Sequence, residues 1–251
     1  MNRLALDLLF LTGVGVATAL ATGLGAVPVW MLGEGVARAE ALLIGLASGV
    51  MGVAAIVGLL VPGLDQGPAT SVVAGALVGC VFLLVARLLL ERSGAGRRLA
   101  TGTGGATGLL VFGVLLVHSL PEGMAIGTAY ASTTAGLGLF VILAIAIQNV
   151  PEGTAVAIPL AAEGAGRSRQ FWAAVATSIP QPIAAPVSYL LVDEVKGLLP
   201  FSFGFAGAAM LALVVVELVP RGLRKGGAGR TLAGAAAGGA LMGLFSLLLG
   251  V

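Results

Sequence analysis

Two short stretches of this chain hold the residues whose types and spacing could do chemistry. One reads His118-Ser119-Leu120-Pro121-Glu122-Gly123 and the other Gln148-Asn149-Val150-Pro151-Glu152-Gly153. Both follow the order polar, polar, apolar, Pro, Glu, Gly. His118 and Glu122 are four residues apart, as are Gln148 and Glu152, so on a helix each pair shares a face. Each proline lacks the N–H that would bond the carbonyl four residues earlier, which releases the carbonyls of Val117 and Ile147. One imidazole, two carboxylates and a carboxamide form a mixed nitrogen and oxygen donor set. That set suits a borderline divalent metal such as Zn²⁺, whereas a calcium or magnesium cage would use oxygen alone.

The surrounding sequence puts these groups inside a membrane. Only 24 of 251 residues are charged, 13 Lys plus Arg and 11 Asp plus Glu, while 58% are hydrophobic. A soluble domain carries about 25% charged residues, so a soluble enzyme and a disordered chain are both excluded. A spanning helix needs about 20 mostly apolar residues. Eight segments qualify: 4–25, 41–61, 70–90, 104–130, 133–160, 170–192, 199–219 and 231–250. Open sheets cannot span a bilayer, so the predicted fold is all-α, one integral membrane domain over residues 1–251 with eight transmembrane helices. The 40 glycines have no collagen-like period and suit close helix packing in lipid. One Cys and one His exclude a disulfide framework and a Cys- or His-rich cluster. The net charge of +2 gives no case for nucleic acid.

Basic residues set the orientation. Eleven of the 13 fall on one side of the eight spans: Arg38, Arg87, Arg92, Arg97, Arg98, Arg167, Arg169, Arg221, Arg224, Lys225 and Arg230. Arg3 and Lys196 fall on the other. Cytoplasmic loops hold the excess of Lys and Arg, which predicts both termini outside a cell membrane, plasma or inner. Arg3 followed by an apolar run also fits a signal peptide, but the even sorting of charge favours a retained first helix.

With the loops placed, Glu122, Glu152, Glu217 and His118 stay inside spans. Ionisable groups there are costly and mark pathways or sites. No Lys or Arg lies deep in a span to pair with Glu122 and Glu152, so bound cations or protons are implied. The turn between spans four and five lies near Ser132 and Thr133. His118 and Glu122 centre about 12 residues before it and Gln148 and Glu152 about 18 after it. At about 1.5 Å per residue both lie roughly 18–27 Å from the turn, so a metal site between helices 4 and 5 near the bilayer middle is predicted.

These residues resemble the ZIP (Zrt-/Irt-like protein) family of divalent metal transporters, whose fourth and fifth spans carry a polar pair followed by apolar-Pro-Glu-Gly. Supporting stretches are Ser48-Gly49-Val50-Met51, Gln181-Pro182 and Glu217-Leu218-Val219-Pro220. The resemblance covers essentially the whole chain. It implies a metal site of Met51, His118, Glu122, Gln148 and Glu152, uptake of Zn²⁺ as substrate towards the cytoplasm, and an alternating-access, elevator-like movement. Cd²⁺ or another divalent metal could substitute. Many relatives have Asn, Asp and Glu where Ser119, Asn149 and Gln181 stand. Two divalent cations sharing only Glu122 and Glu152 would be undercharged, so a degraded second site and a single bound metal follow. Glu217, at the cytoplasmic end of its span, is a candidate pathway exit. The expected partners are the metal ion and the lipid bilayer, with a homodimer left open.

Two other classes use similar groups. An intramembrane metalloenzyme would need a fuller ligand set, and the His-Glu-x-x-His motif is absent, so no enzymatic activity is expected. A passive cation channel, or a carrier of Fe²⁺, Mn²⁺ or Cd²⁺, would use the same acids. Cys80 reads as packing, Trp30 and Trp172 as interfacial aromatics, and the Gly-rich 102–108 lacks the ending of a phosphate loop. Pro180, Pro182 and Pro186 are expected to break span six near Gln181.

Overall fold

A computed structural model describes residues 3–92, 105–195 and 197–251. Arg97, Arg98 and Lys196, used above for orientation, lie outside the described residues, as does the start of the Gly-rich 102–108. Among the described residues all regular structure is helical. The helices are α1 (Arg3–Leu24), α2 (Ala26–Leu32), α3 (Val36–Ala55), α4 (Val61–Asp65), α5 (Ala69–Arg92), α6 (Gly105–Ala131), α7 (Leu137–Ala162), α8 (Arg167–Thr177), α9 (Pro180–Glu194), α10 (Leu198–Leu213) and α11 (Val219–Leu249). Among the described residues six stretches are long and apolar enough to cross a membrane: Arg3–Leu32, Arg38–Asp65, Ala69–Leu90, Leu137–Ala162, Arg167–Glu194 and Leu198–Leu249. The chain is thus a multi-pass membrane protein. The last stretch has 52 residues, about 78 Å at 1.5 Å per residue. A single crossing of a hydrocarbon core about 30 Å thick needs far less. Its helix is broken at Gly227 (φ 78°, ψ 171°), a conformation that glycine tolerates.

Two segments differ from the sequence expectation. Residues 26–40 and 220–230, read as loops, are largely helical. Ala26–Leu32 runs on from α1 as an apolar turn, with Ala26 and Val29 buried. Arg221–Arg230 continue the helix that follows Pro220. Charge marks these segments as lying outside hydrocarbon, but it does not prevent a helix.

Proline chemistry explains the irregular turns. A wide π-helical turn spans Ile56–Leu60 and another spans Val214–Leu218. Each leads into a proline, Pro62 and Pro220. A proline has no N–H for the carbonyl four residues back and crowds it. Those carbonyls belong to Gly58 and Val216, inside the two wide turns. The Val216 oxygen instead accepts a hydrogen bond from Arg87 Nη1 at 3.1 Å. Span six breaks at Ser178 (φ −105°, ψ 8°), between α8 and α9, and the helix resumes with Pro180 in its first turn, where a missing N–H costs no helix bond. Pro121 and Pro151 sit within unbroken α6 and α7.

The helices fall into two packed groups. One contains α1, α6, α7, α8 and α9; the other contains α3, α5, α10 and α11. Their closest pairings are α6 on α9, α1 on α7, α3 on α11 and α5 on α10. The groups meet mainly where α3 lies on α7 and α10 on α6. Small residues permit the closest approach. Gly45 and Gly49 of α3 face the carbonyls of Thr231 and Ala235, while Gly234 and Gly238 of α11 face those of Leu42 and Leu46. A Cβ at any of the four would strike backbone, so this is small-xxx-small packing on both helices. Phe140, Phe203, Leu11 and Met51 fill the interior. Leu77, Val81, Leu88 and Leu89 stand exposed on α5, as a lipid-facing helix requires.

Candidate metal site

Glu122 is the hub of the buried polar groups. It projects from α6 and is completely buried. Gln148 of α7 donates from Nε2 to Glu122 Oε1 at 2.7 Å. Gln181, in the first turn of α9, donates from Nε2 to Glu122 Oε2 at 2.8 Å. Ser119 hydrogen-bonds the same carboxyl group. Asn149 donates from Nδ2 to Gln181 Oε1 at 3.1 Å and to the Thr18 carbonyl at 2.8 Å. One carboxyl therefore ties α6, α7 and α9 together, and Asn149 adds α1. Around this centre Thr22 and Ser178 share a hydroxyl bond of 2.7 Å, and Thr154 donates to the Gly25 carbonyl at 2.8 Å.

Buried polar atoms are almost always hydrogen-bonded, so exceptions are informative. Among the described residues three buried side-chain atoms lack a hydrogen-bond partner: His118 Nδ1, Gln148 Oε1 and Glu152 Oε1. All three belong to the two motifs, and each offers a lone pair when His118 is neutral with Nδ1 bare. His118 lies one turn before Glu122 on α6 and is 5% exposed. Glu152 lies one turn after Gln148 on α7 and is also 5% exposed. Met51 is fully buried on α3 within the main apolar core. Glu217 is half-buried in the wide turn before α11.

The structure thus joins Glu122, Gln148, Ser119, Asn149 and Gln181 by direct hydrogen bonds. His118 and Glu152 are buried on α6 and α7 but outside that network, and Met51 is buried on α3 in the other helix group. Among the described residues no three His, Cys, Asp or Glu side chains gather as a metal cluster. His118, Glu122 and Glu152 are three such groups, and the structure does not draw them together; both oxygens of Glu122 are engaged by carboxamides instead.

Three features were not anticipated from sequence. The Thr18 carbonyl is a polar anchor for Asn149, and a backbone atom leaves no motif. Asp7 of α1 accepts from Tyr130 at 2.7 Å and from Tyr189 at 3.2 Å. These residues line a cleft of about 750 Å³ that also includes Gln66, Asp193 and Pro200. At its rim Gln66 bridges the two helix groups, accepting from Ser132 at 3.0 Å and donating to Thr134 at 3.3 Å. Finally, Glu152 shares a small cleft with Arg221. Sequence indicated no base near the intramembrane acids because Arg221 lies in a segment read as a loop. The helical continuation after Pro220 brings it there.

Comparison with known proteins supplies the family. The profile described as ZIP zinc transporter matches residues 91–246, more than half of the chain. Zinc transporter GufA of Myxococcus xanthus is 33% identical over 229 residues, covering 85% of this chain and 90% of GufA. Zinc transporter ZIPB of Bordetella bronchiseptica is 35% identical over 247 residues, covering 94% of this chain and 80% of ZIPB. A longer relative in Arabidopsis thaliana is 34% identical over 213 residues, and the chain spans 34% of its length. The paired Pro-Glu-Gly motifs, the helical membrane fold and these matches together establish that the chain belongs to the ZIP family of zinc transporters.

Proposed function

We propose that this chain carries Zn²⁺ across a cell membrane into the cytoplasm, one ion at a time, through a site formed by Met51, His118, Glu122, Gln148 and Glu152. The observation that carries the reading is the set of three buried donor atoms without partners: His118 Nδ1, Gln148 Oε1 and Glu152 Oε1. Each is a liability in a fold and an asset to a cation. Gln148 spends its N–H on Glu122 and keeps its carbonyl oxygen free, which is the atom a metal would take. Similar proteins named zinc transporters favour zinc over Fe²⁺, Mn²⁺ and Cd²⁺ as the main substrate.

The second site of the family is degraded in this reading. Ser119, Asn149 and Gln181 are neutral, and Gln181 gives its N–H groups to Glu122 and Asn149. An amide hydrogen thus occupies the carboxylate lone pair that a second cation would need. The proposed topology has eight spans with both termini outside. In support, α6 brings His118 and Glu122 within a 27-residue helix, and Gly227 divides the 52-residue stretch into two. The elevator-like movement is supported by the grouping of helices. The proposed ligands other than Met51 sit on α6 and α7 in one group, while α3, α5, α10 and α11 form the other. Glu217 lies on the exit side in this arrangement.

Reconstitution tests the reading. Glu122→Gln and Glu152→Gln preserve side-chain size and remove one charge each. Each is expected to abolish zinc uptake into proteoliposomes while the protein remains folded. Wild-type uptake by either variant would refute the site.

A further inference from the structure

A buried acid is paired with two cations, one of which lines a cleft with Glu152. Glu40, in the first turns of α3, is 4% exposed. Its Oε1 pairs with Arg221 at 3.3 Å and its Oε2 with Lys225 at 3.2 Å. Arg221 and Lys225 are four apart on α11 and share a face. The two cations thus exceed Glu40 alone by one positive charge, with Glu217, four residues before Arg221, the next acid on that helix. That surplus has a neighbour: Arg221 and Glu152 line the same cleft, of about 20 Å³, together with Ile44, Ala47, Pro151 and Leu218. This is room for about one water molecule. Glu152 Oε1 has no partner, and the guanidinium has five N–H donors, more than one carboxylate uses.

We propose that Arg221 is the countercharge of Glu152: when the metal leaves, Arg221 exchanges Glu40 for Glu152 while Lys225 holds Glu40. The proposal rests on Glu152 as a metal ligand. A departing divalent cation leaves an unpaired carboxylate in a low-dielectric site, which is costly. A nearby guanidinium lowers that cost and favours release. It also competes with rebinding. Lys225 explains why the exchange is tolerated: without it, Glu40 would be left buried and unpaired. The side-chain exposures match these roles, with Arg221 at 19% and Lys225 at 51%.

Isothermal titration of the purified full chain with zinc tests this through the sign of the shifts. Arg221→Gln removes the competitor and should tighten zinc binding on the order of tenfold. Glu40→Gln frees Arg221 for Glu152 and should weaken binding. Arg221→Lys, which keeps the charge, should move affinity less than Arg221→Gln. Should Glu40→Gln fail to fold, Lys225→Gln replaces it, confining Arg221 to Glu40 and tightening zinc as Arg221→Gln does. Weaker zinc binding by Arg221→Gln, tighter binding by Glu40→Gln, or no shift in either, would overturn the countercharge while leaving the metal site intact. The same holds if Lys225→Gln weakens zinc or leaves it unchanged. If Glu152→Gln leaves zinc binding at the wild-type level, the site and the countercharge fall together.

Discussion

Gly123 offers the sharpest structural test, because it sits beside Glu122 at the contact of α6 with α9. A methyl group added there would meet Gln181 Cα at 2.8 Å, Gln181 O at 2.9 Å and Ala184 Cβ at 2.8 Å. Ordinary contact begins near 3.4 Å, so α9 must retreat by about 0.6 Å. Two of the three atoms are backbone, so a side-chain rotation cannot absorb the shift. The same retreat would stretch the 2.8 Å bond from Gln181 to Glu122 towards about 3.4 Å, beyond the usual hydrogen-bond range. Overpacking costs about 1–3 kcal/mol, and the weakened buried bond adds about 1 kcal/mol. For a chain of this size each kcal/mol lowers Tm by about 2–4 °C. Gly123→Ala is therefore expected to lower Tm by roughly 4–16 °C in a detergent melt. Gly13 on α1 is the control: a methyl group added there would meet nothing within 4 Å, and Gly13→Ala should leave Tm unchanged or raise it. Equal melting of Gly123→Ala and wild type would refute the close packing of α6 on α9 and the role of Gln181 in it.

Other expectations follow from the same geometry. Arg87→Met removes the donor to the Val216 carbonyl and should destabilise by about 0.5–1.5 kcal/mol; Pro220→Ala, which restores a backbone N–H, should recover part of that in the double variant. Gln181→Glu with Asn149→Asp should raise bound zinc from one ion per chain to two, and an unchanged ratio by metal analysis would show that charge loss did not empty the second site. Zinc flux should saturate with substrate and give no single-channel current in planar bilayers, whereas unitary currents would identify a channel.

The apolar spans and the two Pro-Glu-Gly motifs are legible in the sequence because both are local. Twenty apolar residues or a proline one residue before a glutamate can be read without knowing any neighbour. The break before Pro180 is legible for the same reason. What escapes such reading depends on contacts between distant segments. Nothing local says that Gln181 will give its N–H to Glu122, 59 residues away, or that the Thr18 carbonyl will hold Asn149 across 131 residues. Arg221 is hidden by its own charge, which marks its segment as a loop, while the helix running on through Pro220 carries it to the cleft of Glu152. The wide turns are legible in principle, since each leads into a proline, but their effect on Val216 becomes chemistry only once Arg87 is seen beside it.

Metal content per chain most directly tests whether the two motifs hold the transported ion. Purified wild-type protein equilibrated with Zn²⁺ and passed through a desalting column should retain one zinc per chain. Glu122→Gln and Glu152→Gln, eluting at the same volume as wild type, should retain none. Retention of one zinc per chain by both variants would contradict the site.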